Sequence, residues 1–217
     1  MQNDRPACKI CSGPAQLFYK DWRSFYICPV CFFIFTAETI GEEEQRVHFT
    51  SQDMKEPDFW ENEAGKYIQF ARQFVEPANI LDFGSGKGCL SAALKDMGFD
   101  VASFEPMLHG RFDQEAYPRK FNLIIANQVI EHMQDIVGEI KTILPVLERD
   151  GLLFFSSLFT DHFIFDRDSP EYFRKWWYKD DPTHVSFYCF LSIDAVCKQT
   201  GLNIVGYGPN AVALMRA

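Results

Sequence analysis

Residues 79–88 read N-I-L-D-F-G-S-G-K-G, with an acid, Asp82, at the end of a short apolar run and Gly84, Gly86 and Gly88 at alternate positions after it. Glycines at this density let the backbone turn tightly and touch a ligand, and a helix opening behind them offers unpaired N–H groups. Two phosphate-binding loops are excluded. A P-loop needs Gly-Lys followed by Ser or Thr, whereas Gly86-Lys87 is followed by Gly88. The dinucleotide fingerprint G-x-G-x-x-G would need a glycine where Cys89 stands. Asp82 would repel a pyrophosphate but suits a ligand that presents a cationic amine. Glu105 follows Gly84 by 21 residues, where an acid at the end of a second strand can accept two ribose hydroxyls. A surface Glu at a strand end is the structural alternative.

A second cluster has a different chemistry. Cys8 and Cys11, then Cys28 and Cys31, form C-x2-C, sixteen residues, C-x2-C, the spacing of a four-thiolate zinc site. Ser12-Gly13 supports the first knuckle, while the second has Phe32 where glycine is usual. Short strands at 17–19 and 25–27, joined around residues 21–24, make the unit a zinc ribbon. About 35 residues bury too little surface to fold alone, so a structural Zn2+ would supply about 10–16 kcal/mol. Two disulfides or redox chemistry are the alternatives, and the duplication and a reducing compartment argue against them.

The elements that must position these residues alternate between strand and helix. Apolar Phe59, Trp60, Ala64, Tyr67, Ile68, Ala71, Phe74 and Val75 predict an amphipathic helix over 57–76 that ends at Pro77. Strand 79–83, helix 88–97 and strand 100–106 follow, with Gly98 between the last two. Strand 121–127 comes next, then a helix from Ile136 to Leu147 that Pro145 shortens or kinks, then strand 152–157. A helix at 191–200 and a hairpin of 202–207 with 211–215 close the chain. This alternation predicts an α/β fold. Only fourteen residues lie between Pro106 and Phe121, so a further strand there is very short or missing. Residues 37–56, with an acidic run at 42–44, read as a solvated linker or helix start. Residues 158–190 are long, polar and aromatic together, and leave the sheet at the edge that carries Gly84, Glu105 and Asn127. They read as a lid and acceptor pocket.

The acid and alternating glycines resemble motif I of the class I S-adenosylmethionine (SAM)-dependent methyltransferases. N-x-V-x-E-H at 127–132 resembles their motif IV. The resemblance covers about 79–217. It implies a Rossmann-like, mostly parallel sheet with an antiparallel last strand, and SAM as cofactor. Asp82, Gly84, Ser85, Gly86, Gly88, Glu105, Asn127 and Gln128 would hold it. The W-W-Y-x-x-D-P-T-H-V-x-F-Y run at 176–188 is similar to the same segment in bacterial zinc-ribbon-bearing methyltransferases, which modify cell-surface glycans or small metabolites. The division implied is a zinc ribbon at 1–38, a linker and helix at 39–78, and a SAM-binding domain at 79–217 with the insertion at 158–190.

Methyl transfer is an in-line displacement, so the protein mainly positions a nucleophile and excludes water. Where a hydroxyl or acidic carbon attacks, a base helps, and His184 is the first candidate, with Asp181 to orient it. His132 and Tyr178 are second candidates. Each histidine also has a structural reading, His132 holding its loop and His184 fixing the lid. Trp176 and Trp177 read as lid core before substrate stacking. Asp113 and Glu115 are the acids available to meet adenine.

Composition narrows the function. A net charge of −9 and pI near 5.0 argue against phosphate-backbone partners. An RNA methyltransferase gripping its substrate with the ribbon is therefore the lesser alternative, alongside a non-catalytic SAM-binding scaffold. No apolar run approaches a membrane span. The polar residues 1–6 do not read as a secretory signal, so a cytoplasmic enzyme acting on a small-molecule or glycan acceptor is expected.

Overall fold

The computed structural model describes residues 6–51 and 55–216; residues 1–5 of the polar N-terminal stretch lie outside them. The ribbon supplies β1 (Gln16–Lys20), β2 (Ser24–Ile27) and β3 (Ile34–Thr36). Two helices follow, α1 (Glu42–Ser51) and α2 (Pro57–Ala71). The acidic run thus opens α1, in line with a helix start. The main domain runs β4 (Asn79–Phe83), α3 (Cys89–Asp96), β5 (Asp100–Phe104), α4 (Pro106–His109), β6 (Phe121–Asn127), α5 (Ile136–Ile143) and β7 (Leu147–Ser156). Its C-terminal part is α6 (Ser169–Lys175), β8 (Ser186–Phe187), α7 (Phe190–Thr200), β9 (Leu202–Gly208) and β10 (Ala211–Arg216).

Six strands form the central sheet in the order β5-β4-β6-β7-β10-β9. β5, β4, β6 and β7 are mutually parallel, and β10 inserts antiparallel between β7 and β9. The apolar runs of β4 and β6 are buried because helices cover both faces of the sheet. On one face α2 and α3 pack Ile68, Ala71, Leu90 and Leu94 against Ile80 and Leu123. On the other, α5 and α7 pack Ile136, Ile140, Ile193 and Val196 against Leu81, Ile124 and Phe155. Between β5 and β6 there is α4 and a short 3-10 turn in place of a strand, in line with the shortage of residues. The α5 helix stops at Ile143, and Pro145 lies in a 3-10 turn, as a residue with no N–H to give. Among the described residues no helix is long and apolar enough to cross a membrane.

The insertion differs from a free-standing lid. Its β8 pairs antiparallel with β3, Ile34 opposite Phe187 and Phe35 opposite Ser186, so the ribbon sheet has the order β1-β2-β3-β8. Phe163, Ile164, Phe173 and Tyr178 of the insertion share a buried cluster with Phe25, Ile27 and Ile34 of the ribbon. An aromatic-rich segment at this point is therefore mostly a core between the insertion and the ribbon sheet. Trp176 belongs to that core, whereas Trp177 is exposed.

Candidate active site

A cavity of about 750 Å3 opens at the C-terminal ends of the parallel strands. Its lining includes Asp82, Gly84, Ser85, Gly86, Glu105, Asn127 and Gln128, together with His132 and His184. Asp82 is the penultimate residue of β4, 1% exposed, and accepts the Ser91 hydroxyl at 2.6 Å. Burial pushes its carboxyl up to about 6, against the Ser91 bonds that favour the anion. Glu105 follows β5 and caps α4. Its Oε1 accepts the Met107 N–H at 3.0 Å and its Oε2 the Gly86 N–H at 2.8 Å. The acid thus ties the glycine loop to the neighbouring strand, and each oxygen keeps a second lone pair for a ligand hydroxyl.

Gly84 has φ 75°, and a Cβ there would fall 2.5 Å from Val129 Cγ2, so both backbone and space require glycine. Gly88 does not line the cavity; it caps α3 in the left-handed region at φ 79°. Asn127 Oδ1 accepts Tyr67 Oη at 2.8 Å and Ser156 Oγ at 2.5 Å, which fixes the end of β6. Gln128 then turns at φ 54°. The Trp60 indole N–H is buried in the cavity wall with no partner among the described residues.

His132 and His184 face each other with ring centroids 4.8 Å apart. His184 Nδ1–H donates to the Tyr178 carbonyl at 2.7 Å, and His132 Nδ1–H to the Thr183 carbonyl at 3.1 Å. A carbonyl only accepts, so both neutral rings carry their lone pair on Nε2. His184 is 7% exposed, and burial, assisted by His132, lowers it to about 4. Asp181 does not orient it. Its Oδ1 accepts the Thr183 N–H and hydroxyl, and its Oδ2 lies 3.9 Å from His184 Nε2, beyond hydrogen-bond reach. The Tyr178 carbonyl does that work instead.

Tyr178 lies behind the cavity. Its hydroxyl bonds Glu131 Oε1, Ser157 Oγ and Gln128 Oε1, and burial holds the phenol well above its ordinary range. A proton so held is unavailable for base catalysis, and Tyr178 acts through its backbone carbonyl. Its partner Glu131 is fully buried, with Oε2 unpartnered among the described residues, and burial raises its carboxyl. Asp113 and Glu115 do not line the cavity; Pro106 and Met107 do. Residues 39–49 also reach it, through Thr39, Ile40, Gln45 and Phe49, with Lys87 Nζ bonding the Thr50 carbonyl. Sequence reasoning missed this roof, because a polar segment shows no periodicity that marks it as pocket wall.

The four cysteines converge at the ribbon base. Cys8 and Cys31 Sγ are 3.6 Å apart, Cys11 and Cys28 3.5 Å, and Cys11 and Cys31 3.8 Å. Tetrahedral zinc with bonds of about 2.3 Å needs sulfur separations of about 3.8 Å. Ser12 and Phe32, which follow the two C-x2-C pairs, share φ near 60° and donate to the Cys8 and Cys28 carbonyls. The second knuckle therefore has the same geometry without glycine.

The family described as Methyltransferase domain matches residues 58–207. No curated protein sequence matches the chain. Among solved structures, the mitomycin 7-O-methyltransferase MmcR is similar at TM-score 0.54 and 20% identity, over 72% of this chain and 54% of that one. DesVI of Streptomyces venezuelae has TM-score 0.55 and 13% identity, over 81% and 97%. The plantazolicin methyltransferase BpumL, in complex with SAH, has TM-score 0.56 and 12% identity, over 81% and 91%. The chain spans about half of MmcR and nearly all of the other two, and at these identities the likeness is one of fold. With the sheet order, the acid–glycine loop and a family match over most of its length, the chain belongs to the class I SAM-dependent methyltransferases.

Proposed function

We propose that the chain transfers a methyl group from SAM to a small-molecule or glycan acceptor, at oxygen, nitrogen or carbon, with His184 as the group that receives the acceptor's proton. The observation that carries this is that one cavity is lined both by the acid–glycine loop and by His132 and His184, whose Nδ1 atoms are taken by backbone carbonyls. Its size lies in the range of small-molecule sites, roughly 300–1,000 Å3. The chemistry of the lining fits SAM: Asp82 suits the amine, the unpartnered Trp60 N–H suits the carboxylate, and Glu105 suits the ribose. When bound, SAM supplies a methyl group activated by its sulfonium.

His184 stays unprotonated at neutral pH because its cavity disfavours the imidazolium. A base this weak suffices for a hydroxyl, whose proton becomes strongly acidic as the oxygen takes up the methyl group. The Tyr178 carbonyl keeps Nε2 as the accepting atom. His132 is the exposed second candidate and steadies the 183–184 turn. The cysteine centre is read as a structural zinc site in a cytoplasmic protein, where thiols stay reduced. RNA gripped by the ribbon is the weaker reading, since Arg23 is buried and Lys9 bonds the Thr36 carbonyl.

Calorimetry with SAM tests the first step. Wild type should bind below about 1 mM, and Glu105→Ala should weaken binding at least about tenfold through its lost charge-assisted bonds. Absence of wild-type binding would refute the methyltransferase reading. Binding without label transfer to any small-molecule or glycan acceptor pool would favour the scaffold alternative.

A further inference from the structure

We infer that the cysteine ribbon braces from behind the turn that forms the acceptor wall of the cavity, residues 181–185, and that Arg23 is a positioning residue whose guanidinium fixes this turn and with it His184. This rests on the reading of His184 as an acceptor-facing group. Arg23 precedes β2 and is 1% exposed. Its Nη2 donates to the carbonyls of Lys179 at 2.5 Å and Asp181 at 2.8 Å, and its Nη1 to that of Pro182 at 3.1 Å. These acceptors lie more than 150 residues away in sequence and immediately before His184. The guanidinium carbon lies 4.5 Å from the Trp22 ring and 4.9 Å from the Phe25 ring. A planar fork can satisfy three converging carbonyls at once, which an ammonium on a flexible stem does poorly. A second tie runs beside it: the buried Lys179 ammonium lies 3.3 Å from Asp21 Oδ2.

The ribbon also holds the other side of His184. The Thr36 N–H donates to the Val185 carbonyl at 3.0 Å, and β8 pairs with β3 just beyond. The main domain meets the same turn through the loop after β6: the Val185 N–H donates to the Glu131 carbonyl at 2.8 Å, the His132 Nδ1–H to the Thr183 carbonyl at 3.1 Å and the Ser186 hydroxyl to the Met133 carbonyl at 2.6 Å. Cys28 and Cys31 lie in the connection between β2 and β3, so the sulfur centre clamps the hairpin whose two strands lead to Arg23 and to β8. The cofactor side depends on none of these bonds. Asp82 accepts the Ser91 hydroxyl, and Glu105 accepts the Gly86 and Met107 N–H groups. Metal occupancy at the ribbon should thus control the geometry at His184 while leaving SAM binding intact.

The test uses the full-length, zinc-loaded protein and the variants Arg23→Ala and Arg23→Lys. Amide hydrogen exchange, the His184 imidazole titration by NMR and SAM calorimetry are read together. In Arg23→Ala, exchange at His184 and Val185 should speed at least about tenfold, with Leu81 and Ile124 unchanged. The His184 midpoint should rise toward 6.5 as water reaches the ring, and SAM affinity should stay within about twofold. Methylguanidinium at about 10 mM should restore part of the protection by refilling the fork site. Arg23→Lys should lie between wild type and Arg23→Ala, and it carries the test should Arg23→Ala fail to fold. Chelation of zinc from wild type should give the same local signature. Unchanged exchange and titration at His184 in the variants would overturn the inference. So would loss of SAM binding on chelation, because the ribbon would then support the whole fold. Absence of SAM binding in zinc-loaded wild type strikes the methyltransferase reading instead and leaves the exchange result to be judged alone.

Discussion

Gly84→Ala is the sharpest probe of the cofactor loop. An added Cβ would fall 2.5 Å from Val129 Cγ2 and 3.0 Å from Cγ1, on a backbone at φ 75°. The left-handed conformation costs alanine about 1–2 kcal/mol. Forcing a methyl into occupied space costs about 1–3 kcal/mol more. Gly84→Ala should therefore destabilise the fold by about 2–5 kcal/mol, of which only the second part depends on Val129. Val129 is half-buried, so Val129→Ala alone should cost about 1 kcal/mol. In the double variant the clash is gone and the backbone cost stays, so the two changes should couple by about 1–3 kcal/mol in the stabilising direction. Urea unfolding of the four proteins measures this, with m held constant as the check on two-state behaviour. SAM affinity, lowered in Gly84→Ala, should recover in part in the double variant as the loop returns to position. Additivity within about 0.5 kcal/mol would refute the close approach of Val129 to the glycine loop, and with it the packing of the loop after β6 against the loop after β4.

Two further outcomes follow from the titratable groups and the sulfur centre. His184 is lowered from 6.5 to about 4, so between those values the unfolded chain binds its proton and the folded chain does not; its contribution, about 3 kcal/mol, is present above 6.5 and lost as pH falls through about 4. Asp82 is raised from 3.8 to about 6 and acts with the opposite sign, its contribution present below 3.8 and lost as pH rises through about 6. Urea unfolding from pH 4 to 6.5 should show His184→Gln losing stability relative to wild type as pH rises and Asp82→Asn gaining it, and parallel curves would contradict both assignments. Metal analysis should find about one zinc per wild-type chain and its loss in Cys28→Ser, with amide protection falling across β2 and β3.

What could be read from the sequence was what is enforced locally. The acid–glycine loop was legible because a left-handed backbone at Gly84 and Gly88 admits few other residues. The cysteine pairs were legible because a tetrahedral sulfur site fixes short spacings. The missing strand was legible because β-strands need length. Roles set by distant partners were not. Tyr178 carries a hydroxyl next to a histidine-bearing turn, yet Glu131 and Gln128, some 50 residues earlier, take that hydroxyl out of the chemistry. Asp181 sits three residues from His184, but its Oδ1 closes its own turn on Thr183 and its Oδ2 stays 3.9 Å from the imidazole. The roof of 39–49 is polar enough to pass for a linker. Nothing near Arg23 in sequence marks the three carbonyls it meets, more than 150 residues away.

The same distinction between local and distant determinants divides the site itself. The cofactor side stands on β4 and β6, strands buried on both faces, and on the edge strand β5, and its key bonds close over short spans such as Gly86 to Glu105. The side proposed to face the acceptor stands on a turn whose carbonyls and strand edge are satisfied by a ribbon far away in sequence. A residue in such a turn owes its position to long-range contacts that form only when the ribbon is intact. Changes in the ribbon can therefore reshape the acceptor wall, by a shift of β3 or of Arg23, without touching the groups that would hold SAM. That arrangement fits an insertion whose aromatic residues are mostly core: they pack β8 onto the ribbon sheet, and on the proposed reading this holds the buried His184 imidazole in one orientation at the cavity.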